Sequence, residues 1–222
     1  MPINPKYLAD FEENEIYHVY NRTNNKEPLF LNDGHRSYFL KRYAEIVSPL
    51  LETFAWTLLD NHFHFLIKVK SYDHIWDFYD HLHKNETELT QSEIRFLNEE
   101  IGLSELVEFT FKRFFQSYAQ AFNKNVNRKG SLFSKRFKRV KVDRDKHLMQ
   151  TVIYIHANAV KHGLITDFTQ YKWSSWHSFI NENKQIIEYD FISDFFGGTI
   201  ELQEIHFLQV QRYIDYVSEM DD

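Results

Sequence analysis

The stretch DNHFHFLIKVK, residues 60–70, decides the fold. On an extended strand, alternate side chains point to opposite faces. Phe63, Phe65, Ile67 and Val69 then make one apolar face suited to packing under helices, while His62, His64, Leu66 and Lys68 make the other. Asp60 and Asn61 are turn formers, and ETFAWTLLD (52–60) just before reads as a partner strand. Further out, NEIYHVYNR (14–22) reads as a strand. GHRSYFLKRYAEIVSPL (34–50) reads as a helix, with Tyr38, Phe39, Tyr43 and Ile46 at helical spacing and a stop near Pro49.

Beyond the central strand, residues 71–104 are heavily charged and helical in pieces, an insertion on the rim of the domain. LVEFTFKRFFQSYAQAFNKN (106–125) is an amphipathic helix stopped near Gly130. SKRFKRVKV (134–142) is a basic strand, and DRDKHLMQTVIYIHANAVKHG (143–163) a long helix with Asp143 as its expected cap and Gly163 as its stop. The order is β-α-β-β-α-β and then a helix. That predicts an α+β fold, a ferredoxin-like split βαβ antiparallel sheet with a C-terminal tyrosine-bearing helix, a charged helical insertion and an acidic helical tail. The expected division is a domain over 1–179 and an acidic helical extension over 180–222.

At 222 residues the chain can build one substantial core. It has no cysteine, which excludes disulfides and thiolate zinc sites. Its polar N-terminus lacks a signal-peptide core and no run approaches ~18 apolar residues, so a cytoplasmic protein without a membrane span is expected. The net charge is −6, yet Phe109–Val142 holds ten Lys or Arg and no acid, leaving −16 for the rest. Such segregation is the electrostatic footprint of a polyanion partner, against the plainer alternative of a solvated helix face.

His62 and His64, side by side on one strand face, lie about 7 Å apart at Cβ, a span one metal ion can bridge. The plainer alternative is a polar face with two hydrogen-bonded histidines. On the long helix, Tyr154 and Asn158 are one turn apart on one face. Tyr154 offers a nucleophilic hydroxyl, or is simply one buried aromatic among thirteen tyrosines; Asn158 offers an amide oxygen. Two imidazoles and an amide suit Mg²⁺ or Mn²⁺ with open positions for phosphate oxygens, and suit structural zinc poorly.

YHVYNRTNNKEPLF, NHFHFLIKV, YAQAFNKNVNRKGSLFSKRFKRVKV, YIHANAVKHGLI and YKWSSW fall in this order along the chain. Together they resemble the HUH-type single-tyrosine transposases, in particular the REP-associated tyrosine transposases, over 14–70 and 106–179. The resemblance implies Tyr154 as nucleophile and His62, His64 and Asn158 as ligands of a Mg²⁺ or Mn²⁺ cofactor. It implies a transposase that cleaves and rejoins single-stranded or hairpin DNA through a 5′-phosphotyrosine, with no nucleotide cofactor, and a monomer rather than a homodimer. Arg22 and Asn25, in the turn after the first strand, are DNA-contact candidates. So are Arg128, Lys129, Lys135, Arg136, Lys138, Arg139 and Lys141 along the basic segment. Phe133, Phe137, Tyr118, Trp173 and Trp176 are either base-stacking platforms or core, the second being the simpler reading. His156 is assigned a structural or capping role. Two departures from the family pattern are Asp60 and Ala159, where relatives often carry proline. Two other readings compete: a relative that only binds structured DNA or RNA, and a metal-dependent phosphohydrolase in which Tyr154 is structural.

Overall fold

The computed structural model describes residues 7–134, 136–181 and 186–220, with side chains through 212. Strands β1 (Ile16–Arg22), β2 (Leu51–Leu59), β3 (His62–Val69) and β4 (Lys138–Val142) form one sheet in the order β2-β3-β1-β4, every pairing antiparallel. Helix α1 (Asp33–Ile46) joins β1 to β2, and α4 (Leu103–Asn125) leads toward β4. This is the split βαβ order. The charged stretch between β3 and α4 folds as α2 (Tyr72–Lys84) and α3 (Gln91–Leu97), and α3 packs on α4. After β4 come α5 (Asp145–Lys161), α6 (Trp176–Ile180), α7 (Tyr189–Phe196) and α8 (Thr199–Met220). Among the described residues, no helix is long and apolar enough to cross a membrane.

The alternation in β3 separates two layers. Phe63 and Phe65 are fully buried and meet α1 and α4: Phe65 stacks on Tyr43 at 4.2 Å, Phe63 lies 5.1 Å from Phe39, and Phe39 lies 4.7 Å from Phe114. Burying such rings contributes about 1.5–3 kcal/mol each, so this aromatic layer fixes the sheet to its helices. The opposite face is covered by α5, which lies across β2 and β3. Register places His64 opposite Tyr20, Leu66 opposite His18 and His62 opposite Arg22, so these six side chains share the α5 face.

Local differences from the sequence reading have physical causes. The basic strand begins at Lys138, not residue 134: Phe133 makes only an isolated bridge to Thr23, and both Phe133 and Phe137 pack into the core around Phe115, at 5.1 and 5.5 Å. Asp143 does not cap α5: Arg144 occupies the N-cap without a side-chain bond, and Asp143 sits 3.6 Å from His147 instead. Helix α1 stops at Ile46, before the proline, and α4 begins at Leu103. Gly163 does end the long helix, in the left-handed region that glycine tolerates (φ 66°).

The acidic tail is tied to the tyrosine helix by a buried polar chain. His206 of α8 bonds to the Leu202 carbonyl at 2.7 Å, and a carbonyl only accepts, so His206 Nδ1 carries the hydrogen. Neutral His206 then accepts at Nε2 from His156 Nδ1–H, at 2.9 Å. His156 Nε2 accepts from Ser175 Oγ at 2.8 Å, and Ser175 Oγ accepts from the Trp56 N–H at 2.9 Å. His156 is thus structural, as its position on the helix suggested. Burial pushes His206 down to about 4 and His156 well below its usual 6.5. Both are neutral when folded and take up protons on unfolding. Their stabilisation is therefore complete above about 6.5 and weakens as pH falls below it; that of His206 is lost as pH falls toward 4. For His206 the loss at pH 5 is about 2 kcal/mol, at roughly 1.4 kcal/mol per pH unit. His206→Gln, which keeps a donor for Leu202 and an acceptor for His156, is expected to remove that part of the loss. Urea titrations of both proteins at pH 7 and pH 5 check it.

Candidate active site

The α5 face of the sheet gathers four imidazoles and two phenols. His64, 4% exposed, bonds through Nδ1 to His18 Nε2 at 2.8 Å, and the two rings are nearly parallel. His62 donates Nδ1–H to Asn61 Oδ1 at 2.7 Å, which leaves its Nε2 lone pair free. The rings of His62 and His64 are 5.3 Å apart. Tyr20 stacks beside both His18 and His64, at 4.9 and 5.4 Å.

Helix α5 supplies the opposing wall. The Tyr154 ring meets His64 edge-on at 5.6 Å and His18 at 5.9 Å. Eight residues on, His162 at the helix C-cap meets His62 at 4.7 Å. Tyr154, Asn158 and His162 form one i, i+4, i+8 ridge. Its ends touch His64 and His62, and Asn158 occupies its middle. Lys161 places its ammonium 4.7 Å from the Tyr154 ring centroid. Among the described residues the Tyr154 hydroxyl has no hydrogen-bond partner.

The electrostatics keep the imidazoles neutral. Burial lowers His62 to about 4, helped by the nearby Arg22 and Lys161 cations and by His162, whose protonation would compete with its own. Burial, then His18, holds His64 well below its ordinary value, and burial lowers His18 to about 4. Burial also raises Tyr20 to about 12, so it stays a phenol at neutral pH. Neutral imidazoles carry the lone pairs that a cation needs.

Asn158 tests whether a cation fits here. The residue is 0% exposed; its amide nitrogen donates to the Tyr154 carbonyl at 2.9 Å, while Oδ1 is buried with no partner. An unmatched buried acceptor costs about 1–3 kcal/mol, and a hard cation would satisfy it. No three His, Asp or Glu side chains converge as a ready-made metal centre among the described residues. Any ion there must rest on the histidine pair and the amide oxygen, a neutral donor set that leaves positions open for oxygen ligands. Ala159 lies in the uninterrupted helix beside this amide, and Asp60 pairs with Arg36 at 2.6 Å, in the turn before β3.

The basic segment is less free than its composition suggests. Among the described residues, five of its cations are paired with acids from outside the segment: Lys112 and Arg139 with Glu108, Arg113 with Glu93, Arg128 with Glu27, and Lys141 with Glu12 and Glu15. Arg139 is a correction. It is 5% exposed, clamped by the Ala9 carbonyl at 2.5 Å, by Glu108 at 3.0 Å and by the rings of Phe11 and Phe137, so it cannot reach a ligand outside. Arg128 and Lys141 face solvent only in part, already ion-paired. Lys129 and Arg136 are exposed, as are Arg22 at the end of β1 and Asn25 in a left-handed turn (φ 56°). Lys138 lies over Tyr7 and Tyr20 on edge strand β4, at 4.7 and 5.5 Å. Lys135 lies outside the described residues. Phe133, Phe137, Tyr118 and Trp176 are core, and Trp173 alone of the five stays partly exposed, its indole bonded to Asp33 at 2.8 Å.

Sequence reasoning missed His18, Tyr20, Lys161 and His162. The signal for the first two was present: His18 and Tyr20 alternate on β1 as His62 and His64 do on β3, and antiparallel pairing of those strands brings the sets together.

No protein-family model matches the chain, and no curated protein matches it. Among solved structures, it resembles a REP-associated tyrosine transposase bound to a REP hairpin, with TM-score 0.54 and 14% identity over 82% of this chain and 87% of that one. At that identity, the likeness establishes a shared fold.

Proposed function

We propose that this chain is a transposase: a divalent-metal-dependent enzyme that cleaves and rejoins single-stranded or hairpin DNA through a 5′-phosphotyrosine. The observation that carries this reading is the ridge of α5. It sets Tyr154, whose hydroxyl is unbonded among the described residues, against His64, and carries the unmatched amide oxygen of Asn158 one turn further along the same ridge, toward His62. A transposase of the same fold, solved with a DNA hairpin, supports the substrate class.

His62, His64 and Asn158 would hold Mg²⁺ or Mn²⁺, which when bound supplies charge neutralisation for the phosphate oxygens. The Tyr154 phenol proton passes to solvent, and the phenol oxygen bonds to phosphorus. The P–O3′ bond breaks, and the departing 3′ oxygen takes up a proton to end as a free hydroxyl. Lys161 lies where its positive charge offsets that of the phenolate as it forms. The phosphotyrosine keeps the phosphoester energy, so attack by another 3′-hydroxyl rejoins strands without ATP. One chain holds Tyr154 and both histidines together, which supports a monomeric enzyme.

The DNA path on this reading uses Arg22, Asn25, Lys129, Arg136 and Lys138, with Arg128, Lys135 and Lys141 as flanking charges. Lys129→Ala with Arg136→Ala is expected to weaken hairpin binding for all sequences. It should flatten the log–log salt dependence by roughly one unit per lost phosphate contact, about two in all. Fluorescence anisotropy from 50 to 200 mM salt checks this; unchanged slopes would leave those two residues as solvated surface. The function itself is tested by denaturing electrophoresis after incubation with hairpin-bearing single-stranded DNA and Mn²⁺. A protein–DNA band that survives denaturation is expected, whereas cleavage without one would identify a hydrolase.

A further inference from the structure

Beside its ring contacts with Tyr20 and Tyr154, His18 makes a short polar contact within the site, Nε2 to His64 Nδ1 at 2.8 Å. At that separation only one of the two facing nitrogens carries a hydrogen, because two N–H groups would collide and two bare lone pairs would repel. The choice decides what the far side of His64 can do. If His18 donates, neutral His64 carries its hydrogen on Nε2 and presents a donor. If His64 donates from Nδ1, its Nε2 presents a lone pair.

We infer that His18 is a positioning residue that accepts the Nδ1 hydrogen of His64, fixing that ring in the tautomer whose Nε2 binds a divalent cation. This rests on the reading of the site as a cation centre. Three features hold His18 to the task. Tyr20 stacks on its ring at 4.9 Å, Tyr154 closes its edge at 5.9 Å, and β1–β3 pairing sets its backbone opposite Leu66, next along the face from His64. His62 reaches the same end by another route, since Asn61 Oδ1 accepts its Nδ1 hydrogen at 2.7 Å. Both histidines of the pair thus have an acceptor behind Nδ1. Acceptors of this kind orient metal-binding imidazoles and raise their basicity, and their loss typically weakens metal affinity 10–100-fold.

Mn²⁺ binding to DNA-free protein, followed by the electron paramagnetic resonance of free Mn²⁺, tests the inference without any activity readout. His18→Phe keeps a ring but removes the acceptor and should bind Mn²⁺ 10–100-fold more weakly than wild type. His18→Gln restores a carbonyl acceptor and should recover most of the loss. Equal affinity in wild type and His18→Phe would overturn the role of His18 while leaving the cation site standing. No Mn²⁺ binding by wild type would instead remove the cation site itself, and this inference with it. Long-range ¹H–¹⁵N spectra of the Mg²⁺-loaded wild-type protein give an answer that needs no variant. His18 should carry its hydrogen on Nδ1, and a hydrogen on its Nε2 would overturn the assignment.

Discussion

Tyr154→Phe is expected to cut covalent DNA capture by at least about 10⁴-fold, since loss of a nucleophile leaves only residual binding effects. Hairpin affinity should stay within about threefold, because the ring still packs against His64 and His18. Stability should change by under about 1 kcal/mol, because the hydroxyl makes no hydrogen bond among the described residues that could be lost. This combination distinguishes a nucleophile from a structural tyrosine, whose buried hydroxyl would be bonded. If capture persists, Tyr20 is the phenol to examine next, because it stacks on His64 at 5.4 Å. Tyr118 is not, since its hydroxyl is buried and donates to the Leu29 carbonyl at 2.7 Å.

Asn158→Ala is expected to be the second most damaging change to activity and among the mildest to the fold. Removing a fully satisfied buried amide usually leaves partners stranded, at a cost of about 1–3 kcal/mol. Here the carbonyl oxygen has no partner to strand, and the amide nitrogen bonds only to the backbone of its own helix. In EDTA, the unfolding free energy should therefore fall by under about 1 kcal/mol. With Mn²⁺ present, the ligand-linked stabilisation that wild type gains should largely disappear, and capture should drop by about 10²-fold or more. Thermal melts with and without Mn²⁺, beside the capture assay, read all three. A variant melting far below wild type in EDTA would make Asn158 a core residue rather than a ligand.

Two kinds of regularity made the site legible in the sequence. Period-two alternation put His62 and His64 on one face of β3, and helical spacing put Tyr154 and Asn158 on one ridge; both survive because each lies within a single element. His18 and His162 were not legible because their importance arises between elements. His18 matters through the β1–β3 register, and His162 through the docking of α5 across the sheet. The basic segment shows the reverse error. Its freedom from acids is real along the chain, yet Glu12, Glu27, Glu93 and Glu108 fold back onto it, and Arg139 ends as a buried clamp between the N-terminal segment and α4. Charge runs describe neighbours in sequence, whereas screening and pairing act on neighbours in space. The aromatic layer between sheet and helices was readable for the same reason as the histidine pair: Phe63 and Phe65 follow the same alternation on the opposite face.

The most direct test of the central claim is to map the covalent adduct. Wild-type protein incubated with Mn²⁺ and a hairpin-bearing single-stranded oligonucleotide, then digested with protease and nuclease, should yield one nucleotide-modified peptide. Tandem mass spectrometry should place a 5′-phosphodiester on the Tyr154 phenol oxygen. A modification on any other residue, or cleaved DNA with no modified peptide, would contradict the account.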